Sequence, residues 1–167
     1  MKQKALAGAA LAALIGLVAT WEGLRTTAYQ DIIGIWTVCY GETKGVKKGD
    51  AYTVAECKSK LAHEVKAYDE RLQKCMTRQL SAGERIALVS LSYNAGTAAV
   101  CKSTALKLMN QGKRVEGCNA LLNWSCVTVA EGTGDKTGPC ASSRQNKRAI
   151  NGLLNRRKAE QKICLAA

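Results

Sequence analysis

The sequence predicts an α+β fold in which a small antiparallel β lobe follows the first helix of a mostly helical domain. Three observations lead there. Residues 5–19 form an uninterrupted apolar run, residues 24–52 are rich in Gly, Thr, Tyr and β-branched residues, and from Thr53 onward apolar residues recur every three or four positions. The 167-residue chain is 47% apolar and 23% charged with a single Pro. That composition excludes a disordered chain and suits one globular domain with a true core.

The elements follow in order. Tyr29 to Gly41 reads as short strands folded about glycines, an antiparallel hairpin or three-stranded meander. Thr53-Val54-Ala55-Glu56 fits a capping box, and Cys57, Leu61, Val65, Tyr68, Leu72 and Cys75 then mark one face of a helix. Ser81 starts a second helix that ends near Asn94-Ala95-Gly96. Ser103 caps a third ending at Asn110-Gln111-Gly112, and Val115 to Trp124 reads as a fourth. Residues 126–143 form a Gly/Thr loop bracketed by Cys126 and Cys140, and a last helix spans Leu153 to Leu165.

Residues 5–19 contain no polar side chain and follow the basic start Met1-Lys2-Gln3-Lys4. As a helix they measure about 22 Å against a hydrocarbon core of roughly 30 Å, which suits an export signal better than a stable membrane span. The lysines favour a cytoplasmic N-terminus with everything after Thr20 outside. The alternative is a buried first helix of a soluble domain, and the two states are compatible at different times. Cleavage after Ala19 would leave the chain beginning almost at Glu22.

The formal net charge is +12, which points to a polyanionic partner or anionic surface. Nucleic acid is disfavoured because the basic residues are interspersed with acidic ones. The eight cysteines lack the close spacings of metal knuckles, so no metal or other cofactor is expected; an even, scattered set reads as disulfides of an oxidising compartment, with 105 possible pairings, or as buried thiols. The single histidine, His63, excludes Ser-His or Cys-His catalysis that does not use it.

The candidate chemistry lies in carboxylates. Glu22 sits between an apolar helix and a Gly, where partial burial would raise its pKa. Asp31 follows nine residues later, on a strand, with the Thr37 hydroxyl near enough in sequence to share a water. A protonated acid and a carboxylate in unlike surroundings suit glycosidic hydrolysis. Spacing alone makes this a weak signal, since any hairpin can carry such a pair.

At these residues the sequence resembles the phage lysozymes of the T4 type. The resemblance rests on Trp21-Glu22-Gly23, Tyr29-x-Asp31, Gly34, Trp36-Thr37 and Tyr40-Gly41, continues through Leu88 to Gly96 and Ser103 to Gly112, and ends on Gly152-Leu153-x-Asn155-Arg156-Arg157-x-x-Glu160. It covers nearly all of residues 21–165. The apolar, uncut-looking N-terminus is similar to those of signal-anchor-release endolysins, which implies residues 1–20 as anchor segment and 21–167 as a lysozyme-like catalytic domain.

The resemblance implies an endolysin that hydrolyses, with inversion, the β-1,4 bond between N-acetylmuramic acid and N-acetylglucosamine in peptidoglycan. Glu22 takes the role of general acid, Asp31 orients or deprotonates the attacking water, and Thr37 assists. Arg156 matches a family arginine paired with the catalytic glutamate, and Tyr93 and Asn94 are expected to line the cleft. The implied chain is a monomer, held in the host inner membrane facing the periplasm through residues 5–19 and then released. Glu42 departs from the family, where His is common, as does the long 126–143 loop. A lytic transglycosylase, a catalytically silent wall-binding protein and a pore-forming N-terminal helix with a passive domain are the competing readings.

Among the cysteines, Cys126–Cys140 is expected to close the Gly-rich loop. Similar endolysins carry cysteines at positions matching Cys75 and Cys101, which flank the cleft helix, and counterparts of Cys39, Cys57, Cys118 and Cys164, expected as Cys39–Cys57 and Cys118–Cys164.

Overall fold

The computed structural model describes residues 6–135, 137–141 and 146–166. The basic start Met1 to Lys4, with Ala5, lies outside the described residues, as do parts of the 126–143 loop.

The first helix, α1, spans Gly8–Glu22 and buries Leu14 and Val18 completely against the domain. It runs through the expected boundary at residue 20 without a break. With 15 residues, it is too short to cross a membrane, and no described helix is long and apolar enough to do so. Gly23, at φ 71°, ends it and turns the chain into the β lobe.

Two strands make the lobe: β1 (Arg25–Gln30) and β2 (Trp36–Cys39), antiparallel, with Tyr29 opposite Thr37 and Gln30 opposite Trp36. Single bridges at Thr27–Ala51 and Val38–Glu42 extend the lobe without adding a third strand. Cys39 adopts φ 58°, a left-handed conformation unusual outside glycine, and its disulfide to Cys57 fastens the end of β2 to the next helix.

The helix α2 (Val54–Gln73) opens on the expected capping box: Thr53 Oγ1 accepts from Glu56 N at 3.2 Å, and Glu56 Oε2 accepts from Thr53 N at 2.7 Å. A second box at Ser81 and Glu84 opens α3 (Ala82–Ala95). Helix α3 is buried from Gly83 to Ser92 and forms the axis of the domain, packed by α1, α2 and the C-terminal helix. Such a helix shows little amphipathic contrast because every face is covered. Its charged residues are consequently paired: Arg85 with Asp69 of α2, and Glu84 with Arg78.

The remaining chain departs from the sequence expectation in detail. A short helix α4 (Thr97–Cys101) follows α3 directly, because Gly96 at φ 85° bends the chain and a new turn begins at once. Helix α5 (Thr104–Asn110) carries the expected Ser103 cap. The expected helix from Val115 to Trp124 divides into α6 (Arg114–Asn119) and a 3₁₀ segment (Ala120–Ser125). The Gly/Thr loop is also not wholly irregular. Its start, β3 (Cys126–Thr128), pairs antiparallel with β4 (Lys147–Ala149), just before α7 (Asn151–Ala166).

Four disulfides join Cys39–Cys57, Cys75–Cys101, Cys118–Cys164 and Cys126–Cys140. They tie the lobe to α2, the end of α2 to α4, α6 to α7, and the two arms of the 126–140 excursion to each other.

Candidate active site

Glu22 is the last residue of α1, where the helix meets the β lobe, and its side chain is 22% exposed. Its Oε1 accepts a 2.8 Å bond from Arg156 Nη1. A Cβ built on Gly41 would stand 3.9 Å from Oε2, so the second oxygen lies over the backbone of the β2 exit. Among the described residues Oε2 has no hydrogen-bond partner. One oxygen is thereby held and the other left free beside a cleft of about 320 Å³ lined by Glu22, Gly41, Glu42, Thr43, Lys44, Glu64, Tyr68 and Tyr93. Glu42 and Glu64 also line an adjoining hollow that continues along α2 past Lys60 and His63.

Arg156 is buried on the first turns of α7, and two further partners hold it. Its Nη2 donates to Ser90 O at 3.3 Å, and its Nε lies 3.5 Å from Glu160 Oε1. Glu160 Oε1 in turn accepts from Ser90 Oγ at 2.7 Å and from Arg157 Nη2 at 2.8 Å. Glu160 and Arg157 have no solvent exposure. Burial pushes the Glu160 carboxyl up, opposed by Arg157, Ser90 and Arg156, and burial pulls the Arg157 guanidinium down to about 10. Glu160 had no separate role in the sequence reading; its signal is the four-residue spacing from Arg156, which puts both on one helical face.

Asp31 lies one residue beyond β1, in the hairpin turn rather than on the strand. Its Oδ1 accepts the backbone N–H of Ile33 at 3.0 Å and of Ile35 at 2.9 Å, so the side chain builds the turn it occupies. Asp31 N and O close the same turn with Ile35 and Gly34. Oδ2 has no hydrogen-bond partner among the described residues. Thr37 is buried on β2, and its hydroxyl donates to Ile35 O at 3.1 Å, which leaves its lone pairs as acceptors.

Tyr93 lines the cleft, donates to Tyr40 O at 2.8 Å and stands 5.2 Å, ring to ring, from Tyr68. Burial pushes its phenol well above the usual range, with the Glu22 charge adding to it. It is thus both a wall of the cleft and a strut from α3 to the lobe. Asn94 is exposed on the last turn of α3 and is not among the described residues lining the cleft.

The phage lysozyme family model matches residues 19–160, from the end of α1 to Glu160. The chain belongs to the phage lysozyme family. This phage lysozyme is 42% identical over 164 residues to the SAR-endolysin of Pseudomonas phage phiKMV, covering 97% of the chain and 92% of that relative. Its structure resembles the endolysin from Escherichia coli O157:H7 phage FAHEc1 with a TM-score of 0.73 and 31% identity, covering 91% of this chain and 90% of the other. It matches the muramidase domain of SpmX from Asticaccaulis excentricus at a TM-score of 0.77, covering 98% and 99% of the two chains. At 24% identity, that second likeness speaks to the α+β lysozyme fold alone.

Proposed function

We propose that this lysozyme acts as an endolysin that cleaves the β-1,4 bond after N-acetylmuramic acid in peptidoglycan, with Glu22 as general acid and Asp31 serving the attacking water. The observation that carries this reading is the asymmetry of Glu22: Oε1 is held by Arg156, and Oε2 is left to bear and deliver a proton beside the cleft. The proton passes from Oε2 to the glycosidic oxygen as that bond breaks. Water adds to the anomeric carbon from the opposite face and gives its proton to Asp31 Oδ2. Inversion follows, and it requires the two carboxyls to stand about 6.5 to 9.5 Å apart in the complex. Thr37 supports the water as an acceptor, Tyr93 and Arg156 shape the substrate side, and Asn94 would contact sugar at the exposed edge. The acidic cleft wall at Glu42 and Glu64 sits within an otherwise cationic molecule that suits an anionic wall.

Residues 1–20 serve in this reading first as an uncleaved anchor in the host inner membrane, and those from Gly8 onward later as helix α1 of the periplasmic monomer. The burial of Leu14 and Val18 and the position of Glu22 on the same helix support a link between release and activity. Until the segment leaves the bilayer, Glu22 stays at its surface.

The deciding experiment digests purified peptidoglycan and weighs the products. Hydrolysis gives reducing ends, one water heavier than the anhydro ends of a lytic transglycosylase, and proton NMR of fresh product gives the anomer. Anhydro ends, or binding without cleavage, would overturn the assignment.

A further inference from the structure

The turn between β1 and β2 presents Ile32, Ile33 and Ile35 at 102%, 74% and 46% exposure. These side chains protrude from the turn, and none of the clefts lined by the described residues includes them. Part of the backbone around them is satisfied within the turn. The N–H groups of Ile33 and Ile35 donate to Asp31 Oδ1, and that of Gly34 to Asp31 O. Gly34 O accepts from Gln30 Nε2 at 3.1 Å, and Ile35 O accepts from both Asp31 N and the Thr37 hydroxyl. These bonds reduce the number of backbone groups that lose water where the tip meets an apolar phase; Ile32 N, Ile32 O and Ile33 O have no partner among the described residues, so the contact is one of side chains, with this backbone left among hydrated headgroups.

We infer that the β1–β2 hairpin tip is a docking surface for an anionic lipid bilayer, with Ile32 and Ile33 entering the acyl region. A protruding apolar tip needs no shape-matched pocket in a fluid bilayer. The same lobe exposes Arg25, Lys44, Lys47 and Lys48 against the partly exposed Asp31, Glu42 and Asp50, and the whole chain carries +12, so charge favours anionic headgroups over neutral ones. The contact is separate from α1, whose apolar face is spent on the domain core in this structure, and it does not depend on hydrolysis. A released molecule would thus keep a second, weaker hold on the membrane surface, through a segment that also contains Asp31.

The test uses the full, disulfide-intact chain with vesicles of phosphatidylglycerol and phosphatidylcholine, or of phosphatidylcholine alone. Sedimentation with the anionic vesicles should fall roughly tenfold in the Ile32→Ser/Ile33→Ser double variant, whose exposed positions leave the thermal midpoint unchanged. Binding to neutral vesicles should be weaker by a similar factor. Ile32→Trp should gain fluorescence that lipids brominated in the acyl chains quench. Unchanged binding of the double variant would assign the membrane contact to another part, such as residues 5–19, and overturn the inference. An unquenched Ile32→Trp signal, or equal binding to neutral vesicles, would also overturn it.

Discussion

Arg156 Nη1 reaches Glu22 Oε1 at 2.8 Å across 134 residues of chain, joining the first helix to the last at the edge of the cleft. The Arg156 side chain is 6% exposed, and its guanidinium also answers to Ser90 and Glu160. Arg156→Ala would leave the buried Glu160 with one cation fewer and Glu22 unheld. A loss of about 3 kcal/mol in urea unfolding is expected, with reduced wall clearance by the fraction that stays folded. Arg156→Lys keeps the charge but cannot reach all three partners, so it should fall between the two.

Glu22→Gln should remain folded and lose about 10²- to 10⁴-fold in turnover, because the amide fills the same space without a transferable proton. Asp31→Ala should be comparably damaging, and it also removes the acceptor for two turn N–H groups, so its melting temperature should drop where that of Glu22→Gln does not. Thr37→Ala should be milder. Clearance by Glu22→Gln at close to the wild-type rate would refute the glycosidase roles.

Acid should weaken the start of α2 in a predictable sense. Hydrogen bonds from the Thr53 backbone and hydroxyl hold the Glu56 carboxyl below its ordinary value of 4.5. The unfolded chain therefore takes up the proton first, and the stability that Glu56 contributes is fully present above 4.5 and is lost as pH falls through the lowered value. Melting curves of wild type and Glu56→Gln should differ at neutral pH and converge as the medium is acidified below that point.

Each disulfide restrains a loop of different length, from the 14-residue separation of Cys126 and Cys140 to the 46 of Cys118 and Cys164. On loop entropy alone, the first is worth about 3 kcal/mol and the second about 4 kcal/mol. Replacing both Cys126 and Cys140 by Ser should lower the thermal midpoint modestly and spare the cleft, which the described residues of that loop do not line. Non-reducing peptide maps should recover all four bridged pairs; free thiols at Cys126 and Cys140 would count against an oxidising compartment.

Gly16 is exposed on α1 with open space around it, while Gly8 holds φ 54°. Leucine at Gly16 should lengthen the hold on a bilayer without disturbing the folded domain, and leucine at Gly8 should also strain the released form. The double variant should accumulate in the inner-membrane fraction and delay lysis, and collapse of the membrane potential should hasten release of the wild type. A mature N-terminus after Ala19 in active enzyme would instead mean ordinary cleavage.

Much of the local structure is decided between neighbouring residues. The capping box at Thr53, the helix start at Ser81, the hairpin around Gly34 and the apolar period of α2 are each written within one or two turns of chain, where local hydrogen bonds and side-chain spacing act before any packing exists. The Glu22, Asp31 and Thr37 pattern was legible as a motif for the same reason. The folded chain alone shows that Glu160 and Ser90 stand behind Arg156 and that Val127 pairs with Arg148 across the Cys126–Cys140 excursion; Asp31 leaves the expected strand for a local reason, because its side chain accepts from Ile33 and Ile35 and makes the turn. Helix α1 likewise continues unbroken from the apolar run to Glu22. The Arg156 cluster and the β3–β4 pair depend on which distant segments meet, and for the cluster that is settled by burial around α3: a helix covered on every face leaves no periodic trace, so its neighbours cannot be read from its own residues.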